Sequence, residues 1–459
     1  MDPFASALDQ AAAIGRREVR PRELVEMYLR RIEKHNPRLN HYWEVTADEA
    51  LQMADEAERT LDAPAGPLHG VSVSLKAEEA LAGHAWTNGA FQLREAMPPE
   101  DSFVAKRLKV GRQPILGITT MSEFGSRPLT EHGLHGTARN PWNQEHNTGG
   151  SSGGAGGALA AGLCAISNSH DGGGSTRIPA SLNGLVGLKP SRGLISEAPY
   201  FGELWAGLAM NGVIARTVAD CAAGLDVCAG HDLGDPYWTE PAESYLALAK
   251  PNGRRLRIGC TTAGTEVWPE VKQAVAATLE LLSEMGHEVV EAAPDLAPFR
   301  DVMAPLVIAA SGLMPVDPNG EMDPFNKFGF ELSPSVSGAD YVRAEHQMHT
   351  ISRQTARWWH EHDVLVTPTV PRPAPRNGEM GATVEAAITE FLEFITFVQP
   401  FNCTGQPALT LPLAMTSDGL PIGVQFVGPP HGEDVLFALG AQVEEARPWR
   451  DRHPPGFED

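Results

Sequence analysis

Ten of the 27 residues from Gly149 to Ser175 are glycine. Glycine loses more chain entropy on folding than any other residue and brings no side chain to pack, so an ordinary amphipathic helix or strand is disfavoured there. A flexible solvated linker is one resolution, yet Ala158 to Ile166 within the stretch is apolar. The reading that fits both halves is a glycine loop, a small-residue helix packed closely on its neighbours, and a second glycine loop. Each loop carries serine: Gly149-Gly150-Ser151-Ser152-Gly153-Gly154 in the first, Asp171-Gly172-Gly173-Gly174-Ser175-Thr176-Arg177 in the second. A run of glycines lets several backbone N–H groups converge on one point. An acyl-transfer oxyanion hole needs that geometry, and a phosphate site needs it equally.

The alternatives are weighed by what each further requires. A P-loop needs Gly-Lys-Ser/Thr after the glycines, and no lysine lies between Gly149 and Arg177. A dinucleotide fingerprint needs a strand feeding the glycine turn, where this chain has the polar loop beginning Asn140-Pro141-Trp142-Asn143. Gly149-Gly150-Ser151-Ser152-Gly153 satisfies the G-x-S-x-G nucleophile elbow, which again lacks its preceding strand. His170 beside Asp171 suggests a Ser-His-Asp arrangement with Ser175, but five residues along one tight loop do not bring an imidazole onto that hydroxyl, and a structural histidine is favoured. Asp171 and Arg177 flank the second loop with opposite charges and read as a buried ion pair clamping it.

Elsewhere helix and strand patterns alternate. Leu24, Val25, Tyr28, Leu29 and Ile32 recur at helical spacing, with Pro37 expected to end that segment. A helix follows from Thr46 to Leu61. Gly70 to Leu75 reads as a strand ending at Lys76, and Pro114 to Gly117 as another. Further strands are expected at 256–260, 287–290, 364–366, 408–412 and 422–427, and helices at 217–229, 269–285 and 434–445. This alternation implies an α/β architecture around one large sheet. The chain is read as one domain over 1–459, with a helical segment at 1–65, a core at 66–230 and an interrupted, pocket-shaping stretch at 291–350 expected to hold helices and loops.

Composition narrows the function. A net charge of −22 argues against nucleic-acid partners. Five cysteines without a C-x-x-C pair suggest neither a zinc site nor a disulfide framework, so neither metal nor cofactor is expected. Cys164, Cys221 and Cys228 lie in apolar helical patterns and read as core. No basic-then-apolar leader and no apolar run of about 18 residues is seen, so a cytoplasmic protein without membrane attachment is expected.

Three segments together carry a resemblance: Val73-Ser74-Leu75-Lys76, the Gly149–Gly154 run, and Asp171 to Ala180, continued by Gly184-Leu185-Val186-Gly187-Leu188-Lys189-Pro190-Ser191-Arg192-Gly193. Lys76 and Ser151 stand 75 residues apart, Ser151 and Ser175 stand 24 apart. In motif and spacing the chain resembles the amidase signature family, with weaker similarity over almost its whole length, including Phe401 to Ala408 and Gly419 to Gln425. The resemblance implies the amidase signature fold, one large twisted mixed β-sheet flanked by helices on both faces. It implies a catalytic triad of Ser175 as nucleophile, Ser151 as a bridging serine after a cis peptide bond, and Lys76 as base. Backbone N–H groups of Gly172, Gly173, Gly174 and Ser175 would hold the oxyanion.

The chain departs from the family pattern at His170, where threonine is usual, at Gly172, where a bulkier residue is usual, and at Ala77-Glu78-Glu79. The third loop glycine is expected to open space beside the nucleophile. The C-terminal third is most similar to hydrolases of oligoamides and to urethanases that cleave carbamates. The expected substrate is therefore a small-molecule amide or carbamate. A glutaminase-like subunit of a tRNA-dependent amidotransferase and a catalytically silent binding scaffold are the rival readings, and oligomeric state, a homo-oligomer included, is open. Pocket residues are expected from 120–135, 200–210 and 291–350, with Met121, Phe124, Trp205, Met303 and Phe330 as candidates.

Overall fold

The computed structural model describes residues 1–458, and residue 459, the last of the expected domain, lies outside the described residues. The strands are β1 (Tyr42–Val45), β2 (Val73–Lys76), β3 (Ile115–Thr119), β4 (Ile166–Asp171), β5 (Val186–Lys189), β6 (Met210–Ala215), β7 (Arg257–Cys260), β8 (Glu288–Val290), β9 (Val364–Pro368), β10 (Ala408–Met415) and β11 (Pro421–Val427). All join one sheet in the order β1-β3-β2-β4-β6-β5-β10-β11-β9-β7-β8. The pairings β3–β2–β4 and β9–β7–β8 are parallel and the others antiparallel. This is the one large sheet that the α/β pattern implied, and it is mixed as the resemblance implied.

Helices cover both faces of its centre. Gly187 of β5 has no side chain, and a Cβ there would overlap the methyl of Ala180 in the helix Arg177–Asn183. The neighbouring pair Leu188–Val213 points the other way, where Val213 and Ile166 meet Gly224 of the helix Val218–Cys228. Strands covered on both sides have no solvent-facing side, and β4 is buried along its whole length although five of its six residues are polar.

The glycine-rich stretch differs in detail from its sequence reading. The helix is Gly153–Ala160, formed by the glycines themselves, and the residues after it turn into β4. A Cβ at Gly153 would overlap Thr130 and one at Gly157 would overlap the His41 ring. The glycines are therefore the helix's contact face. The Thr46 to Leu61 pattern forms the helix Ala47–Arg59, with Thr46 as its N-cap residue. Pro37 does not end its helix, which runs Pro21–Leu39 and stops at Asn40 in the left-handed conformation (φ 58°). In the last turn proline costs one backbone hydrogen bond only, and the chain beyond the helix end is fastened by the Asn36 carboxamide, which accepts the N–H groups of His41 and Tyr42 at 2.7 and 2.8 Å.

Residues 291–350 hold the helices Phe299–Ser311, Pro324–Leu332 and most of Gly338–Ala356, without a strand. All five cysteines are free thiols, and Cys164, Cys221 and Cys228 are core residues. Among the described residues no helix is long and apolar enough to cross a membrane.

Candidate active site

Parallel β2 and β4 bring Lys76 and Asp171 to the same edge of the sheet, and the glycine loops close over that edge. Lys76 is the last residue of β2 and fully buried. Its backbone N–H donates to Asn168 Oδ1 on β4 at 3.2 Å. Its amine donates to Ser151 Oγ at 2.8 Å and to Glu78 Oε2 at 2.7 Å. The Gly150–Ser151 peptide bond is cis. Gly150 admits no side chain because Leu129 backbone atoms lie 2.6 Å from where a Cβ would stand.

Ser175 is bound to that arrangement through the backbone: Ser152 N–H donates to the Ser175 carbonyl at 3.4 Å. Its hydroxyl has no hydrogen bond among the described residues, to Ser151 or otherwise, and Ser175 keeps 7% exposure where Ser151 keeps 1%. Hydroxyl contacts in an unliganded site are commonly long and tighten once substrate is bound.

The loop before Ser175 is fastened by one carboxylate. Asp171 accepts from the N–H groups of Gly174, Thr176 and Arg177 at 2.7, 3.2 and 3.4 Å, and from Arg177 Nε and Nη2 at 3.0 and 2.9 Å. Asn402 bridges the pair, donating to Asp171 Oδ1 and accepting from Arg177 Nη2, while Gln425 accepts from Arg177 Nη1 at 2.7 Å. Burial opposes the Asp171 carboxylate, but Arg177 and Asn402 outweigh it and hold its pKa far below the usual range. The ion pair read from the flanking charges is therefore present, both side chains wholly buried.

This fastening corrects one expectation. The Gly174 N–H is occupied by Asp171 and is not a free donor. The N–H groups of Gly172, Gly173 and Ser175 have no protein partner among the described residues, so three donors of the expected four remain.

Gly172 requires a second correction. The space beside it is filled: a Cβ there would stand 2.8 Å from the Trp205 ring and 3.3 Å from the Ala209 methyl. Beside Gly173 the nearest atoms are Met303 Cε at 3.5 Å and Ile395 Cδ1 at 3.9 Å. On the opposite side Gly125, next to Phe124, would meet Ser151 Oγ at 3.3 Å. Each expected pocket region thus delivers a residue to the site, joined by Ile395, which no sequence pattern marked. Met121 instead packs in the core with Ala77 and Ile118, and Phe330 is partly exposed on the helix Pro324–Leu332.

His170 points away from Ser175. Its Nε2 lies 3.1 and 3.2 Å from the Glu197 oxygens and its Nδ1 lies 3.5 Å from Glu78 Oε2. Glu78, in sequence only a departure from pattern, is in contact with Lys76. Its place two residues beyond the strand end was the available signal. Glu197 had none.

A hydrolase of amide bonds is the class to which this sheet points. A family model described as Amidase matches residues 23–437, and the chain belongs to the amidase signature family. It is 32% identical to 6-aminohexanoate-cyclic-dimer hydrolase of Paenarthrobacter ureafaciens, over 99% of this chain and 97% of that one. It is 33% identical to a glutamyl-tRNA(Gln) amidotransferase component of Thermosynechococcus vestitus, over 96% and 97%. The solved structure of a 6-aminohexanoate cyclic dimer hydrolase complexed with substrate superposes with a TM-score of 0.93 at 31% identity, covering both chains completely. The protein is thus a hydrolase of amide C–N bonds.

Proposed function

We propose that the chain cleaves small-molecule amide or carbamate C–N bonds through an acyl-enzyme on Ser175, with Ser151 and Lys76 as the proton path. One observation carries the reading: the buried Lys76 amine sits 2.8 Å from Ser151 Oγ, at the foot of the Ser175 loop. Ser175 Oγ attacks the carbonyl carbon as its proton passes to Ser151, while Ser151 gives its own proton to Lys76. The N–H groups of Gly172, Gly173 and Ser175 stabilise the oxyanion. Collapse of the tetrahedral species breaks the C–N bond, and the proton returns from Lys76 through Ser151 to the leaving nitrogen. Water then attacks the acyl-enzyme, yielding the acid, or from a carbamate the carbonic half-ester that loses carbon dioxide.

A carbamate carries the same carbonyl and leaving nitrogen, so the proton path needs no addition. Trp205, Met303 and Ile395 around the loop favour an apolar or aromatic group over the polar glutamine side chain. The similarity to an amidotransferase component supports the rival reading, which free glutamine as substrate addresses. The test is release of aniline from an anilide and from an O-alkyl N-aryl carbamate, with fluorophosphonate labelling at Ser175. Both signals are expected in the wild type and absent in Ser175→Ala. Turnover of glutamine alone would overturn the proposal, as would an unlabelled Ser175.

A further inference from the structure

Lys76 can take a proton only as a neutral amine, yet a carboxylate oxygen of Glu78 lies 2.7 Å from it. In a buried site that carboxylate demands a positive partner, and a lysine amine at contact distance would supply it by becoming an ammonium. Two residues that depart from the family pattern meet here. The oxygen of Glu78 that faces Lys76 also faces His170 Nδ1 at 3.5 Å. The other ring nitrogen of His170 faces Glu197, which is held from β6 by the Asn211 N–H and Nδ2 at 3.2 and 3.3 Å. His170 is 3% exposed, and its backbone N–H and C=O both meet Ser152 Oγ at 3.3 Å, tying the ring's strand to the Ser151 loop.

We propose that His170 is a positioning residue of this reaction: as a buried cation it supplies the charge that Glu78 requires, and so leaves the Lys76 amine free to take the proton from Ser151. The inference rests on the proposed serine mechanism and adds to it the residue that sets the state of the base. His170 keeps its proton throughout, and the only protons that move are those passed from Ser175 to Ser151 and from Ser151 to Lys76. Glu78 and Glu197 face the ring directly. Glu79 is buried beside Glu197, and the Lys76 amine shares the Glu78 oxygen that faces the ring. Asp171, the next residue on β4, faces the other way and is satisfied by Arg177. Burial works against the imidazolium, but Glu78 and Glu197 outweigh it and raise its pKa to about 9, so it is charged at neutral pH. Burial pushes the Glu78 carboxyl up, and the largest opposing cause, His170, holds it below the ordinary carboxylate range.

The test is the pH dependence of fluorophosphonate labelling in the wild type, Glu78→Gln, His170→Gln and the double variant, with Ser175→Ala as blank. In His170→Gln, Glu78 has only Lys76 as cation. Labelling at pH 7 should fall about tenfold or more, and its rising limb should move about one unit or more to higher pH. In Glu78→Gln the limb should move below the wild-type position. The double variant should label several-fold faster than His170→Gln. A purely structural histidine would lower the rate by a constant factor at every pH, and that result would overturn the proposal. So would a double variant no faster than His170→Gln, or an unshifted limb in Glu78→Gln. If His170→Gln proves insoluble, His170→Asn takes its place in the same comparison. Absence of labelling at Ser175 in the wild type would instead overturn the serine mechanism itself, and this inference with it.

Discussion

At the residue scale, Gly172 and Trp205 form a size pair. Trp205 adopts the left-handed conformation (φ 54°), uncommon for a bulky side chain, and its ring takes the room that a side chain at 172 would need. Gly172 itself has no left-handed φ, so alanine there is disfavoured by contact alone. Gly172→Ala is expected to cost about 1–3 kcal/mol by overpacking and to lower anilide turnover, because the ring must shift beside the N–H donors. Trp205→Ala should then destabilise the Gly172→Ala background less than it destabilises the wild type, because it relieves the clash as it opens a cavity. Equal costs in the two backgrounds would show that the ring is not the obstacle. Asp171 is the second residue on which the loop depends. Asp171→Asn leaves the Arg177 guanidinium buried beside a neutral amide, and about 3–5 kcal/mol should be lost in denaturant unfolding. The Asp171–Arg177 pair was legible because opposite charges flank one short glycine loop. The Glu78–His170–Glu197 cluster was not, since Glu197 reaches it from a distant loop and each member alone reads as an ordinary charged residue.

At the element scale, the regular helices and apolar strands were legible, and those beside the site were largely not. The helix Pro269–Glu284 announces itself by its apolar spacing and the glycine two residues after its end. β4 reads Ile-Ser-Asn-Ser-His-Asp and has no apolar signature. Its polar side chains are satisfied sideways instead: Ser167 with Ser74 at 2.5 Å, Asn168 with Asn211 at 2.9 Å, and Ser169 with Thr176 at 2.9 Å. β5 and β6 were missed for the related reason that short, wholly buried strands show no alternation. The glycine helix was placed late for the converse reason, since helix propensity counts glycine as a breaker when here its bareness is the contact. This gives an opposed pair of substitutions. Glycine to alanine inside a helix ordinarily stabilises by about 0.5–1 kcal/mol. Gly15, the last residue of the helix Ala7–Gly15, has no atom within 4 Å of a Cβ and should show a gain of that order or less. Gly157→Ala, which drives a methyl into His41, should instead lose about 1–3 kcal/mol. Thermal unfolding of the two variants side by side checks this, and a stabilised Gly157→Ala would refute the close-packing account.

At the scale of the whole molecule, the groups with displaced pKa values set how stability changes with pH. Burial raises Glu79, Glu123 and Glu444 to about 7 from an ordinary 4.5. A carboxyl whose folded pKa is raised binds its proton more tightly in the folded chain, so stability declines as pH rises from 4.5 to 7. His170, raised from 6.5 to about 9, contributes stability that is complete below 6.5 and lost as pH rises through 9. Asp171 and Glu78 act on the other side, because their pKa values are lowered. Their contribution is present above the ordinary carboxylate range and is lost as pH falls through their folded values. Between pH 4.5 and 6.5 the buried His41 and His135, lowered by burial to about 4 and 3, oppose the raised carboxyls, so the melting temperature should change little there and decline from about pH 6.5 through pH 9. Surface repulsion from the net charge of −22 pushes the same way, but salt separates the two causes. Exposed charges are screened within about 3 Å at 1 M salt, and buried ones far less. The decline should persist at high salt if the buried groups cause it, and Glu123→Gln should reduce its part near pH 7. A decline that vanishes in salt and is unchanged by that substitution would assign it to the surface instead.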